Sequence, residues 1–283
     1  MTTPGVHPIA KADLIEGMAK GMAVLESFDT ERQRLNATLA AQRAGITRAA
    51  ARRHLLTLAH LGYLETDGSY FWLSPKVLRF SGSYLASARL PRAVQPVLNR
   101  LAAWSRDAFS VAVLEGDSVV VVARSVSAMA SGASLPDWGS RTSGDAAAAR
   151  SPTRLIAHGL HLGARLPAHA TSTGQVLLAN LPRADLAVWL KGRTLPRLTP
   201  HTLTDSKTLR ARLTEVRKAD HVVASEEHEL GVQAAAVPLR NMAGQVVAAL
   251  NAVVASDRLQ SGALVGEVVP LLQAAAVELR PQL

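Results

Sequence analysis

The chain contains no cysteine. That excludes disulfides and zinc sites built on thiolates, and it fits a reducing compartment. No uninterrupted apolar run approaches the roughly 20 residues needed to cross a bilayer, and the N-terminus lacks the apolar core of a signal peptide. A cytoplasmic protein without a membrane partner is therefore expected. Aromatic residues make up only 4% of the chain, which leaves alanine, leucine and valine to fill its cores. Glycine-rich phosphate loops of the P-loop or Rossmann kind are absent, and no cofactor is expected. Acid is missing locally too: between Glu31 and Glu65 there is no aspartate or glutamate.

What is present is globular. With 283 residues, 48% hydrophobic and 19% charged, the chain can bury real cores and fits two ordinary domains. The net charge of +9 favours a polyanionic partner, but arginine is spread along the whole length, so the position of the charge says more than its sum.

Position singles out residues 36–64, NATLAAQRAGITRAAARRHLLTLAHLGYL. The pattern predicts a helix over 38–44 with Leu39, Ala40 and Ala44 inward. Gly45 releases the chain, since glycine tolerates the left-handed conformation that ends helices, and Ile46 plugs the turn. Thr47 supplies an N-cap oxygen, and a second helix runs from Arg48 to about Leu61 with Leu55, Leu58 and Ala59 at core spacing. Arg48, Arg52 and Arg53 lie in its first turns with only alanines between them, which suits a helix entering the DNA major groove. Tyr63, Leu64 and Glu65 lead into the turn pair Asp67-Gly68, and residues 69–73 return as a second strand, forming a wing. Helix, turn, basic helix and wing make a winged helix-turn-helix. A helical hairpin with a solvated arginine face is the bland alternative, and it explains poorly why the arginines gather at one end of one helix.

Residues 1–11 read as a disordered arm. An amphipathic helix over 12–28 with Leu14, Met18, Met22, Leu25 and Phe28 at helical spacing opens the DNA-binding domain, which ends near residue 74. A polar connector follows over 29–34. Ser74-Pro75 then starts a linker helix (75–90) whose Val77, Leu78, Phe80, Tyr84 and Leu85 pack either on a partner or on the same chain. The second domain, 91–283, opens with a helix carrying Val94, Val97, Leu98, Leu101 and Trp104 on one face. Strands are expected over 109–114, 119–123, within 153–167, and over 222–224, 232–239 and 246–254. Helices fall over 172–180, 184–191, 206–219 and 260–279. The class is α+β with a mainly antiparallel sheet, because most connections are too short for crossovers. Residues 128–152, rich in serine, glycine and alanine, form a long loop, either mobile or a lid.

Chemistry is sparse. The hydroxyls and free N–H groups around residues 170–174 precede a helix and favour a carboxylate, although Thr171 or Ser172 also reads as a simple N-cap. Ser172 with His169 lacks both an orienting carboxylate and a G-x-S-x-G elbow, so hydrolase chemistry is not expected. His158 and His161, three apart on a strand, face opposite ways and make a poor metal pair. Glu226, Glu227 and His228 stay open as part of a metal site completed from afar. The chain reads as one that binds rather than catalyses.

Five blocks carry a family resemblance: GMAVLESF (21–28), GITRAAARRHLLTLAHLGYL (45–64), FWLSPKVLRFSGSYL (71–85), GLHLGARLPAHATSTGQVLLA (159–179) and EEHELGVQAAAVPLRNMAGQVVAALN (226–251). In this order they resemble the IclR family of bacterial transcriptional regulators, and within it the branch that includes PcaR, PcaU and PobR. Residues 128–152 depart from the family pattern. The resemblance implies a winged-helix domain, a linker helix and a GAF-like effector domain, acting on double-stranded operator DNA as a homodimer or a dimer of dimers, with RNA polymerase as a further partner. It also implies a small carboxylate effector and control of aromatic-acid catabolism of the protocatechuate or 4-hydroxybenzoate type; glyoxylate-like or sugar-derived acids are the alternative. The family's DNA-reading positions fall on Thr47, Arg48, Arg52, Arg53 and His54, with Ser69 on the wing. Its pocket positions fall on Thr171, Ser172, Gly174, Ser225 and Asn251. Many relatives carry aspartate where this chain has Ser225.

Overall fold

The computed structural model describes residues 9–29, 32–105, 107–125, 161–255 and 264–283. The arm over 1–8, the loop over 128–152 and His158 lie outside the described residues. The chain divides into two compact units meeting at Ala88 and Arg89.

The first unit is built on three helices and a hairpin. They are α1 (Glu16–Leu25), α2 (Ala37–Ala44), α3 (Arg48–His60), β1 (Leu64–Thr66) and β2 (Phe71–Leu73). Local chemistry sets the α2–α3 corner. Asn36 caps α2 by accepting from the Thr38 and Leu39 N–H groups, and Gly45 ends it at φ +65°. Thr47 caps α3 by accepting from Ala50 N–H. The core holds Val24, Phe28, Leu35, Ala40, Ala51, Leu55, Leu64 and Phe71. Leu35 also bridges Phe71 with paired backbone hydrogen bonds, tying the segment before α2 to the wing.

Two expectations need correction here. α1 is shorter than 12–28, and Leu14, Met18 and Met22 are exposed while Val24 and Phe28 are buried. Periodicity found an apolar stripe, but the stripe turned to this unit's core is the one through Val24. The wing's second strand starts at Phe71, because Asp67 Oδ1 accepts from the N–H groups of Ser69 and Tyr70 and draws both into the turn. After the wing, Ser74 caps a 3-10 turn (Pro75–Val77) that continues into α4 (Leu78–Ser87), on which Leu78, Phe80 and Tyr84 are exposed.

The second unit is a six-stranded sheet with helices on both faces. Its strands are β3 (Ala108–Glu115), β4 (Ser118–Arg124), β5 (Arg165–Pro167), β6 (Val222–Ser225), β7 (Val232–Arg240) and β8 (Val246–Ala255), in the order β5-β4-β3-β8-β7-β6. Every neighbouring pair is antiparallel. One face packs under α5 (Arg89–Ser105) and the C-terminal α9 (Val269–Leu279), through Phe109, Val111, Val237, Leu239, Leu250 and Ala252. The other face carries Ala112, Val119, Ala236 and Ala249 and packs under α6 (Ser172–Ala179), α7 (Arg183–Leu190) and α8 (Ser206–Ala219). These small residues let α6, whose own residues are all buried, sit close to the sheet. Trp104 departs from its expected inward place: it is 79% exposed, and Ala102 is buried instead.

Candidate functional site

On the first unit, capping by Thr47 leaves the first turns of α3 free of covering side chains, and Arg48, Arg52 and Arg53 are all exposed there. Ala51 and Leu55 anchor the opposite side of the helix in the core. His54 stands apart. It is half-buried, and its Nδ1 would lie 3.5 Å from a methyl group added at Gly21 of α1, so the ring lies against α1 rather than beside the arginines. Ser69 is exposed at the wing tip. The face is therefore three arginines on one helix with a turn beside it, an arrangement that suits phosphate and base edges.

On the second unit, β5 ends in a buried 3-10 turn (Ala168–Ala170) that delivers the chain to α6. Thr171 is the cap: its hydroxyl accepts from Gly174 N–H at 3.2 Å and donates to the Pro167 carbonyl at 3.1 Å. Both roles of that hydroxyl are thus used inside the fold. Ser172, one residue further in, is 3% exposed, and its hydroxyl makes no hydrogen bond to the described residues. Gly174 serves packing, since a Cβ there would lie 2.1 Å from the Ala168 carbonyl oxygen.

Asn251 sits on β8 opposite Ser110 of β3, on the face that α6 covers. It is 6% exposed, and its Oδ1 accepts from the Ser110 hydroxyl at 2.6 Å. That fixes the amide and turns Nδ2 away from Ser110, where the described residues offer it no acceptor. Ser225 does not join this set. It is exposed at the end of β6, with the strand parity of Val223, which packs on the opposite face of the sheet.

Behind α6 lies a polar cluster that the sequence reading did not assemble. Gln175 is fully buried; its Nε2 donates to the His169 carbonyl at 3.1 Å and to Glu227 Oε2 at 2.5 Å. Arg212 reaches the Gln175 Oε1 and the Val223 carbonyl. Thr199 and Thr202 hydroxyls hold the Glu226 and Glu227 carbonyls. Burial pushes the Glu227 carboxyl above its ordinary value, against the opposing pull of Gln175 and Arg212. Burial likewise lowers His228, with His169 adding to the effect and Glu229 opposing it. A surface cleft of about 620 Å³ beside Arg212 and Glu227 is lined mainly by α8. His169 Nε2 lies 3.0 Å from the Pro196 carbonyl, which can only accept, so that nitrogen carries the proton. Among the described residues no hydrogen bond joins this ring to Ser172, and no group of three acids or histidines could hold a metal.

Family models cover both units. The IclR helix-turn-helix domain matches residues 17–68, and the bacterial transcriptional regulator IclR C-terminal domain matches 148–280. The chain belongs to the IclR family. Its relatives include the p-hydroxybenzoate hydroxylase transcriptional activator of Acinetobacter baylyi, 47% identical over 96% of this chain and 93% of that protein. The Pca operon regulatory protein of the same organism is 46% identical over 96% of this chain and 90% of that protein. Among solved structures, a double mutant of the PobR inducer-binding domain from Acinetobacter, in complex with 3-hydroxybenzoic acid, is 42% identical. It covers 68% of this chain and 98% of that one, with a TM-score of 0.55. As an IclR-family transcriptional regulator, the protein carries the family's helix-turn-helix domain and its C-terminal domain. Among the described residues no helix is long and apolar enough to cross a membrane.

Proposed function

We propose that this regulator controls an operon for breakdown of an aromatic acid of the hydroxybenzoate or protocatechuate type and responds to a small aromatic carboxylate. The observation that carries the reading is a pair of polar groups left without a hydrogen bond on two buried residues, the Ser172 hydroxyl and the Asn251 amide N–H, on the α6 side of the sheet. Polar groups of buried residues are normally satisfied within the protein, so two left open are suited to a ligand. Both can donate to a carboxylate or a phenol oxygen. The two relatives near 47% and 46% identity and the domain solved with 3-hydroxybenzoic acid support the same ligand class. Thr171 and Gly174 shape the site as cap and close-packing residue; Ser225 and His54 are assigned no contact.

On DNA, Thr47 positions α3, Arg48, Arg52 and Arg53 contact bases and phosphates, and Ser69 lies on the wing. The exposed Leu78, Phe80 and Tyr84 of α4 support packing against a second copy, so that a homodimer or dimer of dimers presents two recognition helices about 34 Å apart or a multiple of it. Ligand preference for one arrangement of the assembly alters operator occupancy or contact with RNA polymerase. No enzymatic activity is assigned, and the protein acts in the cytoplasm.

Isothermal titration of 3- and 4-hydroxybenzoate and protocatechuate into the wild-type protein and Ser172→Leu tests the site. Saturable binding to the wild type that Ser172→Leu removes is expected. Equal affinity in the two would contradict the site, and no binding of any of the three acids would contradict the ligand class.

A further inference from the structure

The wing is the acidic part of the DNA-binding unit. Residues 64–73 contain Glu65 and Asp67 and no lysine or arginine. Laid beside a phosphate backbone, such a hairpin meets repulsion. The compensating charge comes from outside the hairpin. Arg34, 33 residues before Asp67 and just ahead of α2, donates from Nη2 to Asp67 Oδ2 at 2.5 Å. Its guanidinium carbon lies 4.6 Å from the Trp72 ring centroid and 5.8 Å from that of Tyr70. The other oxygen of Asp67 is closed into the turn by the N–H groups of Ser69 and Tyr70 at 3.0 and 2.8 Å. Asp67 is therefore held ionised, first by those backbone donors and then by the Arg34 charge, and its negative charge is matched on the side that Arg34 covers.

Arg34 is not used up by this. Its side chain remains 55% exposed, and the described residues take one of the five N–H donors of the guanidinium. Neighbouring cations are committed elsewhere: Arg43 pairs with Asp29, and Lys76 Nζ donates to the Leu61 carbonyl while lying over the Tyr63 ring. A guanidinium stacked on an aromatic face and pinned by a carboxylate has lost its rotamer freedom before any partner arrives, so a contact through its free donors costs little further ordering.

We propose that Arg34 is the phosphate-contacting residue of the wing, positioned by Asp67 and Trp72. The proposal rests on the DNA-binding reading above and adds a contact from a segment outside helix, turn and wing. A phosphate contact carries no sequence information, so its loss weakens all duplexes alike.

The test is fluorescence anisotropy of the full-length protein on DNA from upstream of its own gene and on a random duplex of equal length, over a range of salt. Wild type, Arg34→Ala and Arg34→Lys are compared, with thermal melts of each. Arg34→Ala is expected to bind both duplexes roughly five-fold more weakly near 0.15 M salt for each DNA-binding unit engaged, about thirty-fold for a dimer, with the salt slope reduced by about 0.9 per unit. The ratio of upstream to random affinity stays the same, and Arg34→Lys retains the slope. An unchanged slope in Arg34→Ala overturns the proposal alone, as does a loss confined to the upstream fragment and accompanied by a lower melting temperature. No DNA binding by the wild type overturns this proposal together with the reading it rests on.

Discussion

Gln175 of α6 and Glu227, which follows β6, are 52 residues apart in the chain and meet inside the second unit, where Gln175 Nε2 donates to Glu227 Oε2 at 2.5 Å. The same Nε2 holds the His169 carbonyl, so one amide ties the turn that delivers α6 to the loop beyond β6. Replacing Gln175 with leucine strands a buried carboxylate. The expected cost is about 2 kcal/mol, or a drop of roughly 4–8 °C in the melting temperature of a unit this size. Calorimetry of the purified variant checks it, and an unchanged melting temperature contradicts the tie.

Glu227 itself gives a pH signature. Burial raises its folded-state pKa, so the folded protein holds the proton more tightly than the unfolded chain. Its contribution to stability is then most favourable below the unfolded value near 4.5 and is lost as pH rises through the raised value. Glu227→Gln, which can still accept from Gln175, is expected to melt higher than the wild type at neutral pH, with the gain shrinking toward pH 4. A gain independent of pH contradicts the assignment.

Gly174 leaves no space for a side chain. A Cβ at 2.1 Å from the Ala168 carbonyl oxygen forces α6 away from the 3-10 turn. Gly174→Ala is expected to destabilise the second unit by about 1–3 kcal/mol, the range found for overpacking, and to weaken effector binding by moving Ser172. Paired chemical denaturation and ligand titration read both effects; wild-type stability in the variant rules out the close packing.

The arginines of α3 are read through salt. Arg52→Ala combined with Arg53→Ala is expected to abolish operator discrimination and to lower the salt slope of residual binding by up to about 1.8 per recognition helix engaged, while leaving the oligomeric state in gel filtration unchanged. Retained discrimination removes this helix from the interface.

Local chemistry made the α2–α3 corner legible, because Gly45 and Thr47 act within four residues of their partners. Five strands of the sheet, β3, β4, β6, β7 and β8, were legible for the same reason, as short valine- or alanine-rich runs bounded by turns such as Asn241-Met242-Ala243-Gly244, whereas β5 (Arg165–Pro167) has no such run and was placed only within 153–167. What was not legible depends on which surface meets which. Periodicity put Leu14, Met18 and Trp104 on apolar stripes and could not tell a stripe that faces this chain's core from one that does not. Ser225 was carried over with its neighbours, yet one residue of strand parity turns it to the other face. Arg34 looked like part of a polar connector, since nothing near it in sequence marks Asp67 and Trp72 as its partners. Gln175, lying among the apolar residues of α6, gave no sign of the carboxylate it would meet.

The central claim is that one protein couples operator DNA to an aromatic acid, and anisotropy on the upstream fragment with and without hydroxybenzoates measures both at once. The account predicts tight, salt-sensitive binding to that fragment over random DNA, shifted by an aromatic acid in the wild type and unshifted in Ser172→Leu. Operator binding indifferent to every aromatic acid, or binding no tighter than to random DNA, would contradict it.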